Sequence, residues 1–232
     1  MSPTWREIWD RRQLDPSLAS PLAQLMAADG MNTGFCGVTE DAWRGFVRQI
    51  AAELEIGPGS SIFEVGCGAG AFLYGLYENG CSVAGIDLSD ALVSFATRAM
   101  PRGRFAVGEA TSVDPADPYD IVVSCGVFLY FPTLEYARTV ITRMAAKARR
   151  AVAILDVPDL ARREQALVFR RGTLGEAEYE EKYRGLDHLY YDRNWVEELL
   201  RGCGVVRTRI EDQAIPGYGG GAYRFNVVGW KD

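Results

Sequence analysis

The 232-residue chain is poor in the residues that most often announce a site. It has one histidine, His188, which rules out a His-cluster metal centre. It has three lysines against 22 arginines, and 31 acids outweigh the 25 cations to leave a formal charge of −6. That balance disfavours nucleic acid, whose binding rests on Lys and Arg contacts to phosphate. The pairs Arg149–Arg150, Arg162–Arg163 and Arg170–Arg171 read as solvated helix faces. Five scattered cysteines contain no CxxC pair, the pattern of reduced thiols in a cytoplasmic protein and not of a disulfide framework. No apolar run can span a bilayer: the longest nearly uncharged one, Ile121 to Phe131, reads as a buried strand and its loop. The opening MSPTWREIWDRR is charged where a signal peptide would be apolar. These absences predict a soluble protein, monomer or homodimer, whose partner is a small molecule and neither nucleic acid nor membrane.

What is present is a helical start followed by alternation. Trp5, Ile8 and Trp9 share one helical face, as do Leu18, Leu22, Leu25 and Met26. Trp43, Phe46, Val47, Ile50 and Leu54 recur at helical spacing after Thr39-Glu40-Asp41. From Ser61, short apolar strands (62–65, 82–86, 104–107, 120–125, 151–157) alternate with helical stretches. This predicts an α/β fold with a doubly wound, parallel sheet. Two further strand-like runs, 205–210 and 223–230, flank a Gly-rich turn and end the sheet as an antiparallel hairpin, which makes seven strands. A single domain is expected: 1–58 as an N-terminal helical cap, 60–157 as the ligand-binding core, 158–191 as a cap insert, and 192–232 as the last helix and hairpin.

The chemistry gathers at strand ends. Glu64-Val65-Gly66-Cys67-Gly68-Ala69-Gly70 follows the first strand and opens a helix, and its glycines permit a tight turn and close ligand approach. With Ala71 the loop also scores as a G-x-G-x-x-A dinucleotide fingerprint. Glu64 argues against that reading, since a carboxylate there repels a pyrophosphate and attracts a ligand bearing an ammonium and a sulfonium. Asp87 closes the second strand, 21 residues after Gly66, where a carboxylate accepts from ribose hydroxyls, with Leu88 beside it to cover an adenine face. Glu109, followed by Ala110, ends the third strand, placed to accept from an adenine amino group.

With Asp120-Ile-Val-Val-Ser124-Cys125-Gly126-Val-Phe128-Leu-Tyr130, these motifs resemble class I S-adenosylmethionine-dependent methyltransferases of the small-molecule type. The resemblance covers roughly Ser61 to Val157 and implies a Rossmann-like sheet with S-adenosyl-L-methionine as cofactor and S-adenosyl-L-homocysteine as product. It implies that Glu64, Gly66, Cys67, Gly68 and Gly70 hold the methionine part, Asp87 and Leu88 the ribose and adenine, Glu109 and Ala110 the adenine. Cys125 to Tyr130 would then lie beside the transferable methyl. Ser-Cys-Gly-Val after strand four departs from the Asn/Asp-Pro-Pro-Tyr type of nucleic-acid methylases. Cys125 stands where magnesium-dependent catechol-type members carry an acid, so no metal is expected, and Asp156 and Asp159 read as structural.

In-line methyl transfer to oxygen or nitrogen needs a base only when the acceptor enters protonated. His188 and Tyr130 are the candidate catalytic residues, the histidine for its titration near neutrality. Phe35, Phe128, Tyr130, Tyr190 and Tyr191 are candidate walls of an acceptor pocket. Two other readings stay open at this point: binding of the same cofactor without transfer, and a dinucleotide-dependent oxidoreductase. Natural-product biosynthesis fits the resemblance.

Overall fold

The computed structural model describes residues 4–31 and 37–231, apart from the side chain of Lys182. Phe35, expected in the acceptor pocket, lies outside the described residues. Three helices come first: α1 (Trp5–Asp10), α2 (Pro21–Ala28) and α3 (Glu40–Glu53). Local chemistry sets each start. Thr4 and Glu7 form a reciprocal capping box on α1, Ser20 caps α2 with Pro21 in its first turn, and Thr39 caps α3. Leu18, expected on the second helix, precedes it, because Ser20 and Pro21 fix the start.

Alternation then follows as β1 (Ser61–Val65), α4 (Ala71–Glu78), β2 (Ser82–Asp87), α5 (Asp90–Ala99), β3 (Arg104–Val107), β4 (Tyr119–Cys125), α6 (Leu134–Lys147) and β5 (Ala148–Pro158). The insert is two helices, α7 (Arg163–Leu174) and α8 (Glu176–Lys182), broken at Gly175. The chain ends with α9 (Arg193–Gly202), β6 (Arg207–Asp212) and β7 (Arg224–Trp230). The sixth strand starts two residues later than its apolar pattern suggests. Val205 is instead drawn into the turn after α9, where its N–H donates to Leu200 O at 3.2 Å.

The seven strands run in the order β3-β2-β1-β4-β5-β7-β6. β3 to β5 pair in parallel, and β7 pairs antiparallel with both β5 and β6. The two-residue period of a strand sorts the core onto two faces. Ile121, Val123, Ala151 and Ala153 pack with α2 to α5, while Val122, Val152 and Ile154 pack with α6 and α9. Strand order reverses between β1 and β4, so their carboxyl-end loops diverge and leave a crevice, the usual ligand position in an open α/β sheet.

Two residues expected in the acceptor pocket are core residues. Phe128 is 1 % exposed and packs against Phe131 and Tyr191. Tyr191 is fully buried, and its hydroxyl donates to the Phe128 carbonyl at 2.8 Å. The extended segment around 190 sends successive side chains to opposite sides, so Tyr190 reaches the crevice and Tyr191 the core. Tyr191→Phe should therefore lower stability by about 1 kcal/mol, the net worth of one buried hydrogen bond, since Phe131 N–H still donates to that carbonyl. Denaturant unfolding measures this, with ligand affinity expected to stay the same.

Candidate active site

The crevice opens into a cavity of about 930 Å³, near the top of the range of about 300–1,000 Å³ that small-molecule sites occupy. Its floor is the loop after β1. Gly66 and Cys67 both donate to Ile86 O, at 2.8 and 3.0 Å, and Gly70 donates to Cys67 O at 2.8 Å, which folds the loop back onto β2. Gly68 has φ +52°, and a Cβ there would stand 2.3 Å from an Asp29 carboxylate oxygen. Gly70 serves packing: it does not line the cavity, and its missing Cβ is replaced by the Met100 methyl. The glycine seats the end of α5.

Three carboxylates converge here. Glu64 is 2 % exposed, and among the described residues nothing bonds its buried Oε2. Asp87 accepts from Gly68 N at 2.8 Å and Ser89 N at 2.9 Å, so the ribose candidate also ties β2 to the glycine loop. Asp29, which follows α2, accepts from Ala69 N at 2.7 Å and Ala71 N at 3.2 Å. Sequence reasoning missed Asp29, whose partners lie some forty residues along the chain. Burial raises all three carboxyls above their ordinary values, Asp29 to about 7, and each feels a neighbouring carboxylate.

Along the rim, Leu88, Glu109 and Ala110 line the cavity as expected from their strand ends. Glu109 is exposed and accepts from Tyr136 OH at 2.7 Å, a partner on α6 that the sequence did not suggest. Cys67 and Cys125 also line the cavity, and burial pushes both thiols well up, which keeps them protonated and poor nucleophiles. Asp156, at the bulged end of β5, has φ +59°. Its carboxylate accepts from Arg224 at 2.9 Å, Tyr218 at 3.0 Å and Gln213 at 3.3 Å. Asp159 is held by Arg193 at 2.7 Å.

The opposite end is aromatic. Trp5 lies 4.6 Å from Tyr130 and stacks at 5.4 Å on His188, and Trp9 meets Tyr130 at 5.5 Å, so α1 covers this end. Tyr190 lines it as well. His188 Nδ1 sits 2.7 Å from Arg170 Nη1. A guanidinium only donates, so Nδ1 accepts and the neutral ring carries its proton on Nε2. The lone pair a general base would use is already engaged. Burial, then Arg170 and Arg224, push the imidazole pKa well down, so the ring stays neutral. The base role expected for His188 gives way to that of a hydrogen-bond donor.

The carboxylate cluster makes a pH prediction. Asp29 titrates near 3.8 when unfolded and at about 7 when folded. Between those values the folded state binds the extra proton, so stability falls as pH rises through that window. Glu64 and Asp87, also raised, add in the same direction. Asp29→Asn should flatten the decline, as read from denaturant midpoints across pH 4 to 8; an unchanged slope would reject the assignment.

Comparison with known proteins agrees with this geometry. Residues 62–151 match a family model described as a methyltransferase domain. A stretch of 98 residues is 32% identical to a dTDP-4-amino-2,3,4,6-tetradeoxy-D-glucose N,N-dimethyltransferase of Saccharopolyspora spinosa, covering 41% of this chain and 39% of that one. A nonribosomal peptide synthetase of Metarhizium robertsii is 32% identical over 127 residues, 50% of this chain and 2% of that protein. The chain thus spans well under two thirds of both curated relatives. Among solved structures, magnesium protoporphyrin IX methyltransferase from Synechocystis, with bound SAH, superposes with a TM-score of 0.61 at 18% identity, covering 98% of this chain and 92% of that one. The N-methyltransferase NodS from Bradyrhizobium japonicum, with S-adenosyl-L-homocysteine, gives 0.60 at 17% identity, covering 81% and 86%. Residues 62–151 thus match the model of a methyltransferase domain, in a chain that shares its fold with solved S-adenosylmethionine-dependent methyltransferases.

Proposed function

We propose that this protein binds S-adenosylmethionine and transfers its methyl group to an oxygen or nitrogen of a small molecule. The observation that carries the reading is the occupied start of α4. In dinucleotide folds the pyrophosphate rests on N–H groups at that helix terminus. Here the Asp29 carboxylate already accepts from Ala71 N at that terminus and from Ala69 N just before it, and the Glu64 carboxyl lies beside the loop. A phosphate is repelled from this floor, whereas a ligand with cationic groups relieves the repulsion among Glu64, Asp29 and Asp87. That argues against the oxidoreductase alternative.

In this reading Glu64 and the loop of Gly66 to Gly68 hold the methionine end, and the unmatched Glu64 Oε2 gains a donor. Asp87 accepts from the ribose, and Leu88, Glu109 and Ala110 border the adenine. When bound, the cofactor supplies a methyl carbon activated by a sulfonium. The protein's own task is to hold a nucleophile in line, roughly 3 Å from that carbon, and to exclude water. Tyr130 and Cys125 flank the place where this would occur, and the α1 tryptophans close it from above. We place the protein in the cytoplasm: among the described residues the cysteines are free and no helix is long and apolar enough to cross a membrane. A role in tailoring a natural product fits the aminosugar methyltransferase relative.

Calorimetric titration with S-adenosylmethionine, S-adenosylhomocysteine and NADH tests the assignment. Micromolar binding of the first two and none of the third is expected; binding of NADH alone would overturn it. Asp87→Ala should weaken binding by about 1–3 kcal/mol through lost charge-assisted hydrogen bonds. An unchanged affinity would remove Asp87 from the ribose site.

A further inference from the structure

The charged opening segment has one cation that faces the cavity. Arg12 lies two residues beyond α1, and its N–H donates to Trp9 O at 3.1 Å. The turn that ends the helix therefore continues the face of Trp5, Ile8 and Trp9, all of which line the cavity. The guanidinium folds over the Trp9 ring, 5.0 Å from its centroid. On its other side is Gly30, where a Cβ would stand 3.2 Å from Arg12 Nη2. Gly30 directly follows Asp29, which packs against Gly68 and accepts from Ala69 N. Arg12 is thus held, half-buried, at the glycine-loop end of the cavity. A guanidinium already stacked on a ring loses little freedom when it receives a ligand.

Three arginines line the cavity, and their situations differ. Arg224 is paired with Asp156 at 2.9 Å, and Arg170 is bonded to His188 at 2.7 Å. Arg12 has no hydrogen bond or ion pair among the described residues, and none of its nitrogens is sealed from solvent. Asp29 feels its charge, but both Asp29 oxygens are already engaged, with Ala69 N and Ala71 N. The open fork of donors suits a carboxylate.

The methionine part of S-adenosylmethionine brings one, with an ammonium on the same carbon. The acids that favour the ammonium repel this carboxylate as they repel a phosphate, so a cation has to meet it. We propose that Arg12 receives the carboxylate of the cofactor's methionine part, while Glu64 and the glycine loop take the ammonium. This rests on the reading of the cavity as an S-adenosylmethionine site, and adds to that site a residue from outside residues 62–151. The segment of α1 then serves the cofactor as well as roofing the aromatic end.

The test is calorimetric titration of the whole chain with three probes. S-adenosylhomocysteine carries both charges, its decarboxylated form S-adenosyl-3-thiopropylamine keeps the ammonium alone, and 5′-methylthioadenosine keeps neither. S-adenosylhomocysteine should bind about tenfold or more tightly than the decarboxylated form, the worth of a charge-assisted hydrogen bond. Arg12→Gln should erase that margin while the other two probes bind as before. Arg12→Lys, which keeps the charge but not the fork, should retain part of it. Equal binding of S-adenosylhomocysteine and the decarboxylated form by the natural sequence would overturn the proposal and leave the cofactor reading standing. A margin that survives in Arg12→Gln would do the same. Weakening of all three probes alike by that variant would also overturn it, and return Arg12 to the support of α1 through Trp9. Binding of none of the three by the natural sequence would remove the cofactor reading, and the proposal with it.

Discussion

The structure depends on one contact, the carboxylate of Asp29 against Ala69 N and Ala71 N where the glycine loop enters α4. It joins the N-terminal helices to the glycine loop and so ties the cap to the sheet. It also neutralises part of the positive end of the α4 dipole. Gly68 is required there because the carboxylate occupies the space a side chain would need. The loop's shape, the docking of α2 and the sign of charge that the floor accepts all follow from this contact.

Holding three carboxyls in one small floor works against folding. Proteins keep such arrangements where a ligand of opposite charge completes them, and clustered groups with shifted protonation mark functional sites for that reason. The aromatic end is built differently, with Arg224 paired to Asp156 and Arg170 bonded to a neutral histidine beneath two tryptophans. The acid that departs from the pattern, Asp156, is compensated by four polar neighbours, Arg224, Tyr218, Gln213 and Asn226, which hold its left-handed backbone in place.

Much of this was legible in the sequence where the signal was local. Strand periodicity gave the parallel sheet, and acids at successive strand ends gave the floor and rim. What escaped was tertiary. Asp29 carries no local signal, because its partners are distant in sequence. Arg170 and Arg171 read alike as a solvated pair, yet adjacent positions on a helix point about 100° apart. Arg171 does reach out to Glu176 and Glu180, while Arg170 turns inward to His188. Tyr190 and Tyr191 divide in the same way between cavity and core. Runs of one residue type conceal such divisions, because composition carries no direction.

The six-residue α1 helix gives the molecule a further property. It buries no residue fully and has a single capping box, whereas helices shorter than about 12–15 residues are marginal in water by themselves. Its order is borrowed from the rings of Tyr130 and His188 on which its tryptophans rest. Whatever occupies the space below alters that support, so the roof is thermodynamically linked to its tenant. Peptide-hydrogen protection in this first helix is therefore a gauge of cavity occupancy, with the indoles of Trp5 and Trp9 as its built-in fluorophores.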